Sequence, residues 1–230
     1  MRELLGVSFY TRFVCMWAVA IMIVVLCLIQ RVDFSNVGSL VVAGAVFSIM
    51  LLYPVEVPVG RLRTLKPNLT TGEAKLIERL EDIPFVDEYA GGFPKVFDTR
   101  VMVSIGGLLV PVCFAIFTFV TMTEQLPALV LFMIVFIVSY MATELKPSLG
   151  LTAPPWIGLF SLPIAYVLSR SDPSGVLLVG GVLGIAAGLI AWAFSISPDE
   201  QGAAEINLGG YGSFIAVYTC VCLAVLISVS

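Results

Sequence analysis

The chain alternates long apolar runs with short polar links along most of its 230 residues. A helix that crosses a membrane needs about 20 mostly apolar residues, and seven stretches approach that length. The predicted spans are residues 11–30, 37–54, 101–122, 126–143, 152–169, 175–197 and 206–228. Because the fourth and fifth are short, the link at residues 143–156 is either a loop or a re-entrant segment. We therefore predict an all-α fold, a polytopic transmembrane bundle of six or seven spans that forms one integral membrane domain over residues 1–230.

One polar segment, residues 57–100, interrupts this pattern between the second and third predicted spans. Thr70 and Glu73 have the spacing of a capping box, and Pro84 is a residue that ends helices. Between them, four aliphatic residues share one helical face, namely Leu76, Ile77, Leu80 and Ile83. We expect a cytoplasmic polar loop that carries a short amphipathic helix on the membrane surface. The alternative is that this segment is a docking surface for a partner.

Composition and charge place the chain in a bilayer and orient it. Hydrophobic residues make up 59% of the chain and charged residues 12%, with a mean hydropathy of +1.04, whereas soluble domains carry about 25% charged residues. If the seven spans alternate, Arg31 and Arg170 lie on one side and the other ten of the 12 basic residues lie on the opposite side. Basic residues collect in the cytoplasm, so we predict a cytoplasmic N-terminus and an external C-terminus in the cell membrane.

Missing residue types exclude several membrane enzymes and receptors. The chain has no His, which excludes a zinc-protease HExxH helix, a Ser–His dyad and a histidine haem ligand. No Asp falls in a predicted span, and the last lysine, Lys146, precedes the final span, where a retinal protein needs one. The five cysteines form no CxxC pair and fall in apolar runs, as small core residues do. We predict no cofactor, no metal site and no nucleic-acid partner, and enzymatic activity is not expected.

Two predicted spans begin with residues that weaken helices. Ser104-Ile105-Gly106-Gly107 opens the third span, and Asn207-Leu208-Gly209-Gly210 opens the seventh. Both lie where the chain enters the membrane from the cytoplasm. The glycines either let neighbouring helices approach closely or free backbone groups that line a cavity, as broken helices do in transporters. In the second interpretation the cavity is lined by Ser104, Gly106, Gly107, Asn207, Gly209, Gly210 and Ser213, with Glu56 and Glu205 nearby.

The sixth predicted span carries a different glycine pattern. Gly180, Gly184 and Gly188 recur every four residues and form one smooth helical face. Small residues at this spacing favour close helix packing in membranes. We expect this face to contact another span, either within the molecule or in an oligomer.

The order of these motifs resembles a known family. Four segments carry the resemblance: Val-Glu-Val-Pro at 55–58, Ser-Ile-Gly-Gly-Leu-Leu-Val-Pro at 104–111, Leu-Lys-Pro-Ser-Leu-Gly-Leu at 145–151 and Asn-Leu-Gly-Gly-Tyr-Gly-Ser-Phe-Ile-Ala at 207–216. Together they resemble the domain of unknown function 1614 family of bacterial and archaeal integral membrane proteins. The resemblance implies a membrane fold and carries no established activity. The family pattern has Asp where this chain has Ile190 and Ile215, which implies a divergent, non-catalytic member or a subunit.

Two functions are compatible with these patterns. The first is a structural or accessory subunit of a larger membrane complex, which uses the Gly180–Gly188 face and residues 57–100 for contacts with other subunits or with a second copy. The alternative is a small transporter or permease-like protein with a polar cavity at the two Gly-Gly helix starts. The sequence names no substrate and no coupling ion.

Overall fold

Helices dominate the structure, and each overlaps one predicted span. The computed structural model describes residues 2–29, 38–65, 96–146, 150–196 and 205–228. In these ranges the α-helices are α1 (Arg2–Leu28), α2 (Ser39–Leu52), α3 (Val110–Thr121), α4 (Gln125–Ala142), α5 (Trp156–Leu168), α6 (Pro173–Phe194) and α7 (Tyr211–Ile227). A π-helical turn, Ile105–Leu109, precedes α3. Each predicted span therefore overlaps one of these helices.

Length and composition distinguish two of these helices. In the described ranges, α4 and α6 are long and apolar enough to cross a membrane, while the other apolar helical stretches are shorter. Their burial differs. In the most apolar 18-residue stretch of each helix, 67% of the residues of α6 are buried inside the molecule, against 22% of those of α4. The length and composition of these two helices suggest a membrane protein. The count of six or seven spans stays a prediction.

The all-α expectation is wrong in one respect, because the chain also forms short strands. They are β1 (Glu56–Leu65), β2 (Val96–Ser104), β3 (Glu144–Lys146), β4 (Gly150–Thr152) and β5 (Glu205–Leu208). One sheet has the order β1-β2-β5, in which β1 and β2 are antiparallel and β2 and β5 are parallel. The predicted third and seventh spans include residues 101–104 of β2 and 206–208 of β5, because short apolar runs do not distinguish strand from helix by hydropathy alone.

The strands also occupy parts of two segments that were expected to be links between spans, residues 57–100 and 143–156. β1 and β2 occupy the two ends of the 57–100 segment that was predicted as a loop, and the amphipathic helix expected at residues 70–83 lies outside the described residues. The 143–156 link contains the antiparallel pair of β3 and β4, with residues 147–149 outside the described ranges. After β4 the chain passes Pro154 and Pro155, and α5 begins at Trp156. This start lies four residues after the predicted one, because the residue before a proline disfavours helical backbone angles and Ala153 and Pro154 are both followed by proline.

The glycine face of α6 lies against α4 within the same chain. A methyl group on Gly180, Gly184 or Gly188 would lie 2.7 Å from a side-chain atom of α4. The facing residues are Leu131, Val135 and Ser139. Without side chains, these glycines let the two helices approach closely. Of the two alternatives predicted for this face, the structure shows the contact within the molecule.

Aromatic residues connect α1 and α2 to the rest of the bundle. The ring of Phe214 lies 4.2 Å from that of Tyr53 and 5.5 Å from that of Tyr218, centroid to centroid. The Tyr218 hydroxyl donates a hydrogen bond of 2.8 Å to the carbonyl oxygen of Met16 in α1. A buried hydroxyl needs such a partner, and this one ties the first helix to the last.

Candidate functional site

The two Gly-Gly helix starts lie side by side at one edge of the β1-β2-β5 sheet. β2 and β5 run in parallel, with Met102 opposite Asn207 and Val103 opposite Leu208. Each strand then passes directly into a helix, β2 through the π-helical turn and β5 through Gly209 and Gly210. We call residues 53–56, 104–107 and 207–213 the junction. The repeated sequence plan therefore corresponds to a repeated strand-to-helix unit.

Backbone contact explains why the junction needs glycine. A methyl group on Gly107 would lie 1.8 Å from the carbonyl oxygen of Gly209, and one on Gly106 would lie 2.3 Å from the backbone nitrogen of Tyr53. Gly209 also has a φ of +79°, a left-handed conformation that side chains disfavour. At these positions the glycines act as close-packing contacts. The cavity of the transporter interpretation stays a prediction.

The two serines of the junction stabilise the helix starts. Ser104 Oγ accepts a hydrogen bond from the Gly107 N–H and donates one to the Tyr53 carbonyl, both 3.0 Å. Ser213 Oγ accepts from the Gly209 N–H at 3.1 Å and donates to the Gly210 carbonyl at 3.4 Å. Both serines are fully buried. These hydroxyls give a hydrogen-bond acceptor to the Gly107 N–H in the π-helical turn and to the Gly209 N–H just before α7. Buried backbone N–H groups need such partners.

An acidic and an amide side chain meet across the sheet. The Asn207 amide donates a hydrogen bond to the carboxylate of Glu56, a residue 151 positions away in the sequence. Glu56 is exposed and Asn207 is half-buried. The Asn207 Oδ1 atom is buried and has no hydrogen-bond partner among the described residues. A buried acceptor without a partner costs about 1–3 kcal/mol, so this oxygen identifies a place where a donor is missing.

The structure brings most of the predicted site residues together. Eight of them form the junction through the contacts above, namely Glu56, Ser104, Gly106, Gly107, Asn207, Gly209, Gly210 and Ser213. Glu205 lies at the start of β5, in register with Arg100 of β2, and its side chain is outside the described part of the chain. Whether the junction binds a ligand stays a prediction.

Sequence reasoning missed two contributors to the junction. Tyr53 supplies both the carbonyl that accepts from Ser104 and the backbone against which Gly106 packs. Gly212 packs against β4, where a methyl group would lie 2.6 Å from Thr152 Cγ2, and its carbonyl accepts from the Ala153 N–H at 3.0 Å. Gly212 was visible as the third glycine of residues 206–214, whereas the role of Tyr53 rests on its backbone and leaves no sequence signal.

A second polar cluster lies just after the C-terminal ends of α3 and α5. The hydroxyls of Ser169 and Ser171 both donate hydrogen bonds to the carboxylate of Glu124. These bonds favour the ionised form, so they lower the pKa of Glu124 below its ordinary value of 4.5. The cluster joins the α3–α4 link to the α5–α6 link. The sequence around Glu124 does not predict these contacts, because the two serines lie 45 and 47 positions away.

Comparison with known proteins finds one family. The model of the family described as "Protein of unknown function (DUF1614)" matches residues 50–227. This range starts in the last turn of α2 and includes every strand and the whole junction, while α1 lies before it. No curated protein and no solved structure matches the chain. The comparisons thus assign a family and leave the function to be argued from the geometry.

Proposed function

We propose, on the premise that this chain belongs to the DUF1614 family, that it is a membrane protein whose junction binds a small polar solute, as in a small transporter or permease-like protein. The observation that carries this proposal is the Glu56–Asn207 pair. An exposed carboxylate there lies beside a buried amide oxygen that has no partner in the described part of the chain. A structural pair would be expected to satisfy its own polar atoms.

The surroundings of the pair favour a preorganised site. Gly107 and Gly209 are in backbone contact, and Ser104 and Ser213 hold the adjacent helix starts with hydrogen bonds. Such contacts leave little freedom in the backbone that carries Asn207. A rigid support reduces the entropy lost on binding.

The proposed orientation places the junction at the cytoplasmic side of the cell membrane. It supposes six or seven spans with the N-terminus inside, and its support is the division of basic residues, of which only Arg31 and Arg170 would lie outside. In this arrangement Glu56 faces the cytoplasm and the Glu124 cluster faces outwards.

Cysteine accessibility tests this proposal. In a chain whose five cysteines are replaced by alanine, Glu56→Cys should react with a membrane-impermeant maleimide in inside-out vesicles and stay unlabelled in right-side-out vesicles. Glu124→Cys is the matched control and should show the opposite pattern. If Glu56→Cys is unlabelled in both preparations, the junction is not open to water and the proposal is wrong.

A second candidate is the accessory subunit, and the exposure of β1 favours it. β1 is an edge strand of the described sheet, and Val59 on it is 67% exposed. A strand edge is a template for pairing with another chain. Because α4 covers the Gly180–Gly188 face, we propose this edge as the contact surface for a partner.

Gentle purification tests the subunit candidate. A stoichiometric partner chain should accompany the wild-type protein and be lost from Val59→Lys, in which a charge replaces an exposed apolar contact. Glu144→Lys, an exposed substitution on β3, controls for the added lysine. Equal recovery of the partner with both variants would exclude β1 as the contact.

A further inference from the structure

Several hydrogen-bond donors of the junction are already used. Three backbone N–H groups at the helix starts have acceptors: those of Ile105, Gly107 and Gly209. The hydroxyls of Ser104 and Ser213 both donate to backbone carbonyls. Helix starts commonly bind anions through free N–H groups, and three N–H groups of this junction already have acceptors. The exposed carboxylate of Glu56 would in addition repel an anionic ligand.

Acceptors, in contrast, are left over. Asn207 Oδ1 is buried and has no partner within the described ranges, and the Glu56 carboxylate uses one oxygen to accept from the Asn207 amide. Among the described residues, no basic side chain forms an ion pair with Glu56. The junction thus offers one negative charge and one unsatisfied oxygen at the same place.

We infer that the solute bound at the junction carries a primary ammonium group, which hydrogen-bonds to Asn207 Oδ1 and to the carboxylate of Glu56. This inference rests on the proposed function and names the ligand class of that same site. An ammonium offers three N–H donors and no acceptor. Two of its donors satisfy the two protein oxygens, and the third faces solvent on the exposed side of Glu56.

Two other cations fit less well. A calcium ion takes about six to eight oxygen ligands, and the hydroxyls of Ser104 and Ser213 are engaged with the backbone. A guanidinium binds best with two parallel bonds to both carboxylate oxygens, and one oxygen of Glu56 is already taken by Asn207. A compact ammonium needs neither arrangement.

Gly210 positions the amide for this contact. A methyl group on Gly210 would lie 2.5 Å from Asn207 Cγ, so any side chain there displaces the amide. The requirement for glycine at this position therefore concerns the orientation of Asn207, in addition to the helix start.

Ligand binding to the full chain in phosphatidylcholine nanodiscs tests the inference. The probe is methylammonium, and tetramethylammonium, which has the same charge and no N–H donor, is the matched control. Methylammonium should raise the melting temperature, followed by tryptophan fluorescence, and tetramethylammonium should leave it unchanged. The apparent Kd for methylammonium should rise about tenfold or more in Glu56→Gln, which is about 1.4 kcal/mol of lost binding energy.

Two further variants separate binding from folding. Asn207→Leu removes the unsatisfied oxygen and should weaken methylammonium binding as Glu56→Gln does, while Glu144→Gln should bind as the wild type does. Each variant is first melted without ligand, and if Asn207→Leu fails to fold, Gly210→Ala, which displaces the same amide, replaces it. Equal affinity in wild type and Glu56→Gln, or equal stabilisation by tetramethylammonium, would overturn the inference.

The ammonium group could belong to a free solute or to an ethanolamine lipid headgroup. Nanodiscs that contain phosphatidylethanolamine distinguish these sources. A headgroup ligand predicts that methylammonium shifts the melting temperature less in these discs than in phosphatidylcholine discs, and only when Glu56 is intact. A free solute predicts equal shifts, and both results support an ammonium site.

The inference and the proposed function fail in different ways. If Glu56→Cys is labelled from the cytoplasmic side and methylammonium does not bind, the water-accessible junction stands and the ammonium assignment is wrong. If Glu56→Cys is not labelled from either side, the proposed function is wrong, and the ammonium inference falls with it.

Discussion

At the scale of single residues, the glycines of this chain differ in what constrains them. Gly107 is constrained by contact, because its Cα faces the carbonyl oxygen of Gly209, whereas Gly209 is constrained by its own φ of +79°. Gly44, in the middle of α2, has open space around it. All three are the same residue type in the sequence, and only the surrounding atoms and the backbone conformation in the folded protein distinguish them.

Gly107→Ala should destabilise the protein strongly. Its methyl group would lie 1.8 Å from a backbone oxygen, which only a shift of the strand-to-helix unit can relieve, at a cost of about 3 kcal/mol. Gly44→Ala is the matched control and should raise stability by about 0.5–1 kcal/mol, because alanine restricts the unfolded chain. Thermal unfolding in detergent measures both, and a stable Gly107→Ala protein would contradict the packing described here.

Glu124 should make stability depend on pH in the acidic range. Its pKa is lowered in the folded protein by the hydroxyls of Ser169 and Ser171, so its stabilising contribution is present above the ordinary value of 4.5 and is lost as the pH falls through the folded pKa. Melting temperatures should therefore fall more steeply below about pH 4.5 in the wild type than in Glu124→Gln.

The hydroxyl donors supply the control for this prediction. Ser171→Ala removes one of the two hydrogen bonds that lower the pKa of Glu124, so its melting curve should depend on pH less than the wild-type curve and more than that of Glu124→Gln. If all three proteins lose stability in parallel on acidification, Glu124 does not contribute to the effect.

At the scale of elements, three glycines of α6 let this helix pack closely against α4. Gly184→Ala should cost about 1–3 kcal/mol, because its methyl group would lie 2.7 Å from Val135 Cβ. Val135→Ala opens space at that point, so the double variant should recover part of the loss. A double-mutant cycle on thermal unfolding measures this coupling.

The oligomeric state is the second measurement on these α6 variants. Because the glycine face packs against α4 within one chain, Gly184→Ala should leave the oligomeric state unchanged while it lowers stability. Dissociation of an assembly without loss of folded monomer would contradict the intramolecular packing and support a face between subunits.

Helices and strands differed in how well the sequence predicted them. The helices followed from hydropathy, since an apolar run of 13 residues such as Trp156–Leu168 pairs its backbone groups internally wherever it lies. The strands did not, because β5 has only four residues and exists through its pairing with β2, about 100 positions earlier in the sequence. A partner so distant leaves no local pattern.

At the scale of the whole molecule, the family assignment is confirmed over residues 50–227, and the orientation is the main untested prediction. Seven spans with a cytoplasmic N-terminus place the C-terminus outside. A reporter enzyme that is active only outside the cytoplasm should therefore be active when fused after residue 230, and a fluorescent protein fused before residue 1 should fold. A C-terminus in the cytoplasm, together with a cytoplasmic N-terminus, would require an even number of spans and contradict the seven-span arrangement.

The sequence by itself determined the apolar class of this protein, the positions of its helices and the residue types gathered at two helix starts. Those features depend on hydropathy and on backbone chemistry, which act locally. Only the tertiary structure decided that the two starts touch each other, that Glu56 reaches Asn207 and that the α6 glycines face α4. These contacts join residues up to 151 positions apart. The hydropathy of one segment predicts whether that segment is apolar, but it does not predict which distant segment packs against it.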